Sequence, residues 1–203
     1  MGSRWLYCFT YWLARLVFFS YYGLSYRGFG HLPPGPSIVV CNHIRAMDPP
    51  VLASLLPRPA WFMTKVELFQ YWGLSPLIRA LHAYPVKRGR PDRKALTHTL
   101  RILKAGGIVL IFPEGHRSET GELQAPRRGV AVLARSSGVP VVPVGVVGPY
   151  GFRKPVTFSM GEPFYIGPDE NAAEASRRIM REIAAQVAVI RAERGLAPLG
   201  SKV

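Results

Sequence analysis

The sequence predicts an α/β fold: one layered domain with a mixed sheet flanked by helices, preceded by an amphipathic or hydrophobic N-terminal helix. Two observations carry the layered domain. Short β-rich runs such as Ser37–Asn42 and Ile108–Phe112 alternate with helix-like segments, and such alternation produces layered α/β domains. The 203 residues suffice for one sizeable core and contain no internal repeat or low-complexity tract. The third observation concerns the N-terminus, where Trp5–Leu24 is almost wholly apolar and aromatic.

That first segment is about 30 Å long if helical, and Arg15 is its only charge. Its length is compatible with crossing a bilayer. However, Arg4, Tyr11, Arg15 and Tyr22 recur at helical spacing on one face. A central arginine costs roughly 2.5–3.5 kcal/mol at mid-bilayer but little at the interface. A helix lying in the headgroup region is therefore favoured over a spanning helix and over an ordinary core helix. No small-residue cleavage site follows, which argues against a signal peptide. Residues 1–30 are thus assigned to a membrane-associating segment and 31–203 to the α/β domain.

After the turn-rich stretch His31–Ser37, the strand Ser37–Asn42 is followed by a weaker strand at Trp61–Thr64 and short helical pieces up to Leu81. Ala83–Val86 reads as a further strand. A helix over Asp92–Lys104 is closed by Gly106 and Gly107. Ile108–Phe112 is a buried strand and Gly129–Ser136 a helix. Val139–Val147 contains Pro140 and Pro143, which points to an irregular or edge strand. Val156–Met160 adds a strand. The last helix starts at an Asn171–Glu174 cap, carries the stripe Ala175, Ile179, Ile183, Val187, Ile190, and stops at Gly195.

The charge balance narrows function. Twenty-six Lys and Arg against twelve Asp and Glu give +14, a surface that attracts nucleic acid or anionic lipid. The aromatic N-terminal segment favours an anionic membrane surface, and no nucleic-acid-binding motif appears. Cys8 and Cys41 have no metal or redox spacing and read as reduced, buried thiols. There is neither an HExxH zinc motif nor a Gly-x-Ser-x-Gly elbow, so no metal and no serine nucleophile is expected.

Four blocks fall at strand ends, where α/β proteins place ligands. In Asn42-His43-Ile44-Arg45-Ala46-Met47-Asp48, a histidine can take a proton near neutral pH while a folded-back carboxylate fixes its tautomer. A surface histidine near an unrelated aspartate is the plainer reading of that block alone. Val86-Lys87-Arg88-Gly89-Arg90 suits phosphate, or is a solvated basic turn. In Phe112-Pro113-Glu114-Gly115-His116-Arg117-Ser118, the glycine allows close approach, Arg117 can meet phosphate, and Glu114 can accept from an arginine or a hydroxyl. A structural Arg–Glu pair would explain it equally. Val139-Pro140-Val141-Val142-Pro143 reads by itself as a buried strand. His31, His82 and His98 stand outside any motif.

The order of the four blocks, from about Ser37 to Val147, resembles the glycerophospholipid acyltransferase family, most nearly its 1-acylglycerol-3-phosphate branch. The resemblance implies transfer of an acyl chain from a thioester to the sn-2 hydroxyl of a lysophospholipid, giving phosphatidic acid. It implies His43 as catalytic base with Asp48 as its partner. Arg88, Glu114, Gly115 and Arg117 become acceptor-binding positions, and Lys65 falls where the family often carries a lysine near the site. No bound cofactor is implied; the donor is acyl-coenzyme A or an acyl-acyl carrier protein, which makes acyl carrier protein a candidate partner. Position 116 departs from the family, which most often has Thr there, and leaves room for another lysolipid or an amine-bearing acceptor. The N-terminal region is also shorter than the family's two-helix membrane motif. The different-class alternative is a non-catalytic basic protein that binds membranes. Compactness and basic charge place the chain at the cytoplasmic face of a bacterial cell membrane.

Overall fold

Short runs of Ile, Val and Leu favour strands because branched side chains pack well on a pleated surface. The computed structural model, which describes residues 4–87 and 92–200, uses them to build one seven-stranded sheet. Its strands are β1 (Gly23–Arg27), β2 (Ser37–Cys41), β3 (Ala60–Lys65), β4 (Ala83–Val86), β5 (Ile108–Ile111), β6 (Val141–Val147) and β7 (Pro155–Met160). They lie in the order β1-β7-β6-β2-β5-β3-β4. Each neighbouring pair is parallel except β6 and β7, so the sheet is mixed.

Helices α1 (Arg4–Tyr21), α2 (Asp48–Leu55) and α3 (Leu74–Ala80) cover one face; α4 (Arg93–Lys104), α5 (Gly129–Ser137) and α6 (Ala172–Glu193) cover the other. Phe18, Leu52, Leu56 and Phe158 fill the first layer, and Leu103, Leu133, Ile179 and Ile183 fill the second. The expected stripe of α6 is buried along its length, and α6 lies against β6. Gly145 permits that contact, because a Cβ there would sit 2.6 Å from the Val187 backbone nitrogen. The caps follow the sequence. Asn171 accepts from the Ala173 and Glu174 amides, and Asp92 accepts from Ala95. Gly106, at φ +85°, closes α4.

Two expectations change. Val139–Val147 is neither irregular nor an edge: its strand β6 runs between β7 and β2 and is buried throughout. Each proline removes one donor, yet the Pro140 carbonyl accepts from Ile38 at 3.0 Å and the Pro143 carbonyl from Gly161 at 2.9 Å. The acceptors keep the strand joined to its neighbours, so the prolines do not push it outward. Second, Gly23–Arg27, within the presumed N-terminal segment 1–30, forms edge strand β1 alongside β7.

Among the described residues no helix is long and apolar enough to cross a membrane. In α1 the side chains of Tyr11 and Arg15 turn inward. Tyr11 donates to the Leu56 carbonyl at 2.7 Å and Arg15 to the Ser54 carbonyl at 2.9 Å. These are carbonyls that the end of α2 leaves without helical partners. The outward face carries Phe9, Trp12, Leu13, Leu16 and Val17, with Trp12 and Leu16 each 65% exposed.

Candidate active site

The parallel strands point their C-terminal ends one way, and the strand order becomes a row of side chains along that edge. The loop after β6 carries Tyr150, the loop after β2 carries His43, and the loop after β5 carries Glu114. Lys65 ends β3, and Lys87 follows β4. Lys65 lies two strands from β2, roughly 10 Å along the sheet. Arg88 lies outside the described residues, as do its neighbours through 91.

His43 and Asp48 meet as the first block predicts. His43 Nδ1 is 2.7 Å from Asp48 Oδ2, and the pair is nearly sealed, His43 being 5% exposed and Asp48 0%. Asp48 is the first residue of α2, with Pro49 and Pro50 behind it, residues that suit a helix start. The same Oδ2 accepts from the backbone N–H groups of Ile44 and Arg45, both at 2.7 Å. The carboxylate thus winds the loop back on itself. With Nδ1 donating to Asp48, the imidazole's lone pair is on Nε2, to which no hydrogen bond is made among the described residues.

The backbone of His43 is pinned from the third block. Its N–H donates to Glu114 Oε1 at 3.3 Å, and its carbonyl accepts from the Ser118 N–H at 2.7 Å. Its ring lies 4.4 Å from that of Phe112. Asn42 fastens the other side: its amide accepts from the Val146 N–H at 2.7 Å and donates to the Val146 carbonyl at 2.9 Å.

Glu114 is buried under the loop, and among the described residues it meets no arginine and its Oε2 has no hydrogen-bond partner. Burial, reinforced by the Asp48 charge and opposed by the His43 hydrogen bond, raises its pKa to about 7. Gly115 adopts φ +74°, and a Cβ there would fall 2.3 Å from Arg127 Nε. Arg127 is thereby laid across the turn, although its Pro-Arg-Arg-Gly setting carries no motif and reads as a solvated loop. Arg117 is exposed on the same turn, and His116 Nδ1 is held 2.9 Å from the Glu114 carbonyl oxygen.

Two clefts open in this part of the molecule, one beside the dyad and one at the β4 edge of the sheet. One, of about 290 Å³, is bordered by Ile44, Arg45, Ser118, Tyr150 and Arg191. The other, of about 680 Å³, lies beside β4 and the start of α4, where Lys87, Arg93 and Lys94 outweigh Asp92. Among the described residues no cluster of His, Cys, Asp and Glu could hold a metal. Cys41 is a free, buried thiol whose pKa is driven up, first by burial.

A buried His–Asp pair at the C-terminal edge of the parallel strands, with Nε2 free of hydrogen bonds among the described residues, is an arrangement able to accept a proton. The chain belongs to the acyltransferase family, whose model matches residues 24–147. It is 32% identical to the 1-acyl-sn-glycerol-3-phosphate acyltransferase of Bacillus subtilis (strain 168) over 134 residues, 63% of this chain and 66% of that protein. It is 29% identical to the lyso-ornithine lipid O-acyltransferase of Pseudomonas aeruginosa over 173 residues, 84% of this chain and 63% of that protein. The chain therefore spans less than two thirds of either relative. The crystal structure of the 1-acyl-sn-glycerophosphate acyltransferase PlsC from Thermotoga maritima superposes with a TM-score of 0.76 and 25% identity, covering 92% of this chain and 80% of that one.

Proposed function

We propose that the chain transfers an acyl group from a thioester to the sn-2 hydroxyl of 1-acylglycerol-3-phosphate, with His43 as general base. The observation that carries this reading is the 2.7 Å contact between His43 Nδ1 and Asp48 Oδ2, which leaves Nε2 as the acceptor. Nε2 takes the hydroxyl proton while the oxygen attacks the thioester carbonyl. The tetrahedral intermediate expels the thiolate, and the imidazolium returns its proton to that sulfur. Asp48 stabilises the transient imidazolium. The donor's thiol is that of coenzyme A or of acyl carrier protein, and the chemistry is the same for both. No covalent acyl-enzyme is required.

The acceptor's phosphate would be met by Arg117 and Lys65 at the same edge and by Lys87 and Arg93 in the cleft beside β4, with Arg88 assigned from its sequence block alone. Glu114 and Gly115 would shape the turn that presents Arg117. The outward face of α1 supports a place at the membrane interface. Its Trp12 and Leu16 would enter the acyl boundary, while the charge of +14 draws the chain to anionic lipid on the cytoplasmic side. Tyr71 and the 93%-exposed Trp72 lie beside α3, on the same side of the sheet.

The likeness to a lyso-ornithine lipid enzyme, together with His116, favours one second reading: an acceptor without a phosphomonoester. Thiol release measured with lysophosphatidic acid and with a phosphate-free lysolipid separates the two. Faster release with lysophosphatidic acid supports the phosphate clamp, and equal rates remove it.

A further inference from the structure

Asp48 is held unevenly. Its three contacts, to His43 Nδ1 and to the amides of Ile44 and Arg45, all converge on Oδ2. Oδ1 is buried and has no partner among the described residues. A buried carboxylate oxygen without a donor is costly, so its surroundings invite a search for one.

Two other buried polar atoms of this region lack a partner among the described residues, Glu114 Oε2 and the hydroxyl of Tyr150, and of the two the hydroxyl is the standing donor. Tyr150 stands in the loop after β6, next to β2 in the sheet. Its ring and the Ile44 side chain flank Gly148 from two sides, where a Cβ would meet Ile44 Cδ1 at 3.5 Å and Tyr150 Cδ2 at 3.8 Å. Both residues border the 290 Å³ cleft. From behind, Tyr22 packs edge-on against Tyr150, with centroids 5.3 Å apart at 85°. The loop is tied to the end of α1 by Arg153 N–H to the Tyr21 carbonyl at 2.7 Å and by Gly23 N–H to the Lys154 carbonyl at 3.0 Å. Burial first, then the Asp48 charge and an approach of hydrogen-bond type to its carboxylate, keep the Tyr150 hydroxyl protonated and able to donate.

We propose that Tyr150 is a positioning residue of the dyad, its hydroxyl donating to Asp48 Oδ1 so that the carboxylate is fixed through both oxygens and keeps Oδ2 on His43. This rests on the acyl-transfer reading above. The hydroxyl also draws charge away from the carboxylate, which moderates the basicity of His43. The end of α1, through Tyr22, holds the tyrosine ring in place.

The test is Tyr150→Phe, which keeps the ring and its contact with Tyr22. It is assayed with His43→Ala for thiol release from an acyl-coenzyme A with lysophosphatidic acid, across pH, and for thermal unfolding. The expected result is a fall in kcat of about tenfold, the low end for a hydrogen bond to a charged group, with KM near the wild-type value. The acid limb of the pH profile moves upward, because the undispersed Asp48 charge supports the imidazolium more strongly. The melting temperature stays close to wild type. A lower kcat with an unmoved acid limb assigns Tyr150 to packing and overturns the proposal. So does a wild-type kcat and profile while His43→Ala is inactive. Turnover retained by His43→Ala overturns the parent reading itself.

Discussion

Glu114 Oε1 accepts the backbone N–H of His43 at 3.3 Å, so the acidic residue of the third block fastens the loop that carries His43. The contact joins the loops after two adjacent strands, β2 and β5, at the centre of the site. Burial at this junction, against the pull of the His43 hydrogen bond, raises the Glu114 pKa to about 7.

Glu114 gives the protein a pH-dependent stability of known sign. Its pKa rises from 4.5 to about 7 on folding, so the folded state holds a proton that the unfolded chain has released. The contribution is full below pH 4.5 and is lost as pH rises through about 7. Denaturant melts between pH 4.5 and 7.5 should show stability declining with pH in wild type. In Glu114→Gln, which cannot ionise, that decline should be shallower. An identical slope in both proteins contradicts the assignment.

Asp48→Asn keeps the size of the side chain but removes the charge that stabilises imidazolium. Thioester turnover should fall by about 10²–10⁴, the range of general-base catalysis, with KM for the donor nearly constant. Steady-state kinetics check this; a loss confined to KM places Asp48 in binding.

Gly115→Ala should disturb both fold and site. Its positive φ alone costs on the order of 1–3 kcal/mol, and the new methyl must displace the Arg127 side chain. A melting temperature lowered by several degrees and weaker acceptor saturation are expected. An unchanged melt together with unchanged kinetics contradicts the tight turn.

Trp12→Asp or Leu16→Asp on the outward face of α1 should weaken sedimentation with anionic phosphatidylglycerol vesicles at least tenfold. Withdrawing one such side chain from lipid forfeits roughly 1.5–3 kcal/mol. The inward contacts of Tyr11 and Arg15 are left in place, so the melt should barely move. Equal vesicle binding by variant and wild type removes the interfacial role of α1.

The layered fold was legible wherever composition and periodicity agreed. Ala83–Val86 and the buried stripe of α6 fall where the alternation and the 3.6-residue period put them. Strand β1 was hidden because Gly23–Arg27 lacks a branched apolar run and follows an apolar helix. Helix α2 was hidden because its eight residues are apolar nearly all round, leaving no amphipathic period. The central place of β6 was masked by two prolines whose carbonyls still bond.

The site divides the same way. His43 and Asp48 were readable because a short loop can bring them together locally. The burial of Glu114, the lie of Arg127 over Gly115 and the packing of Tyr150 against Tyr22 depend on distant segments meeting, and spacing along the chain carries no trace of that.

The most direct test of the account is thiol release from palmitoyl-coenzyme A, or from acyl carrier protein loaded with the same chain, in detergent with lysophosphatidic acid, comparing wild type with His43→Ala. The account predicts acceptor-dependent release by wild type that falls to background in a variant with an unaltered melt. Equal release by a folded His43→Ala protein, or none by wild type with either donor, would contradict it.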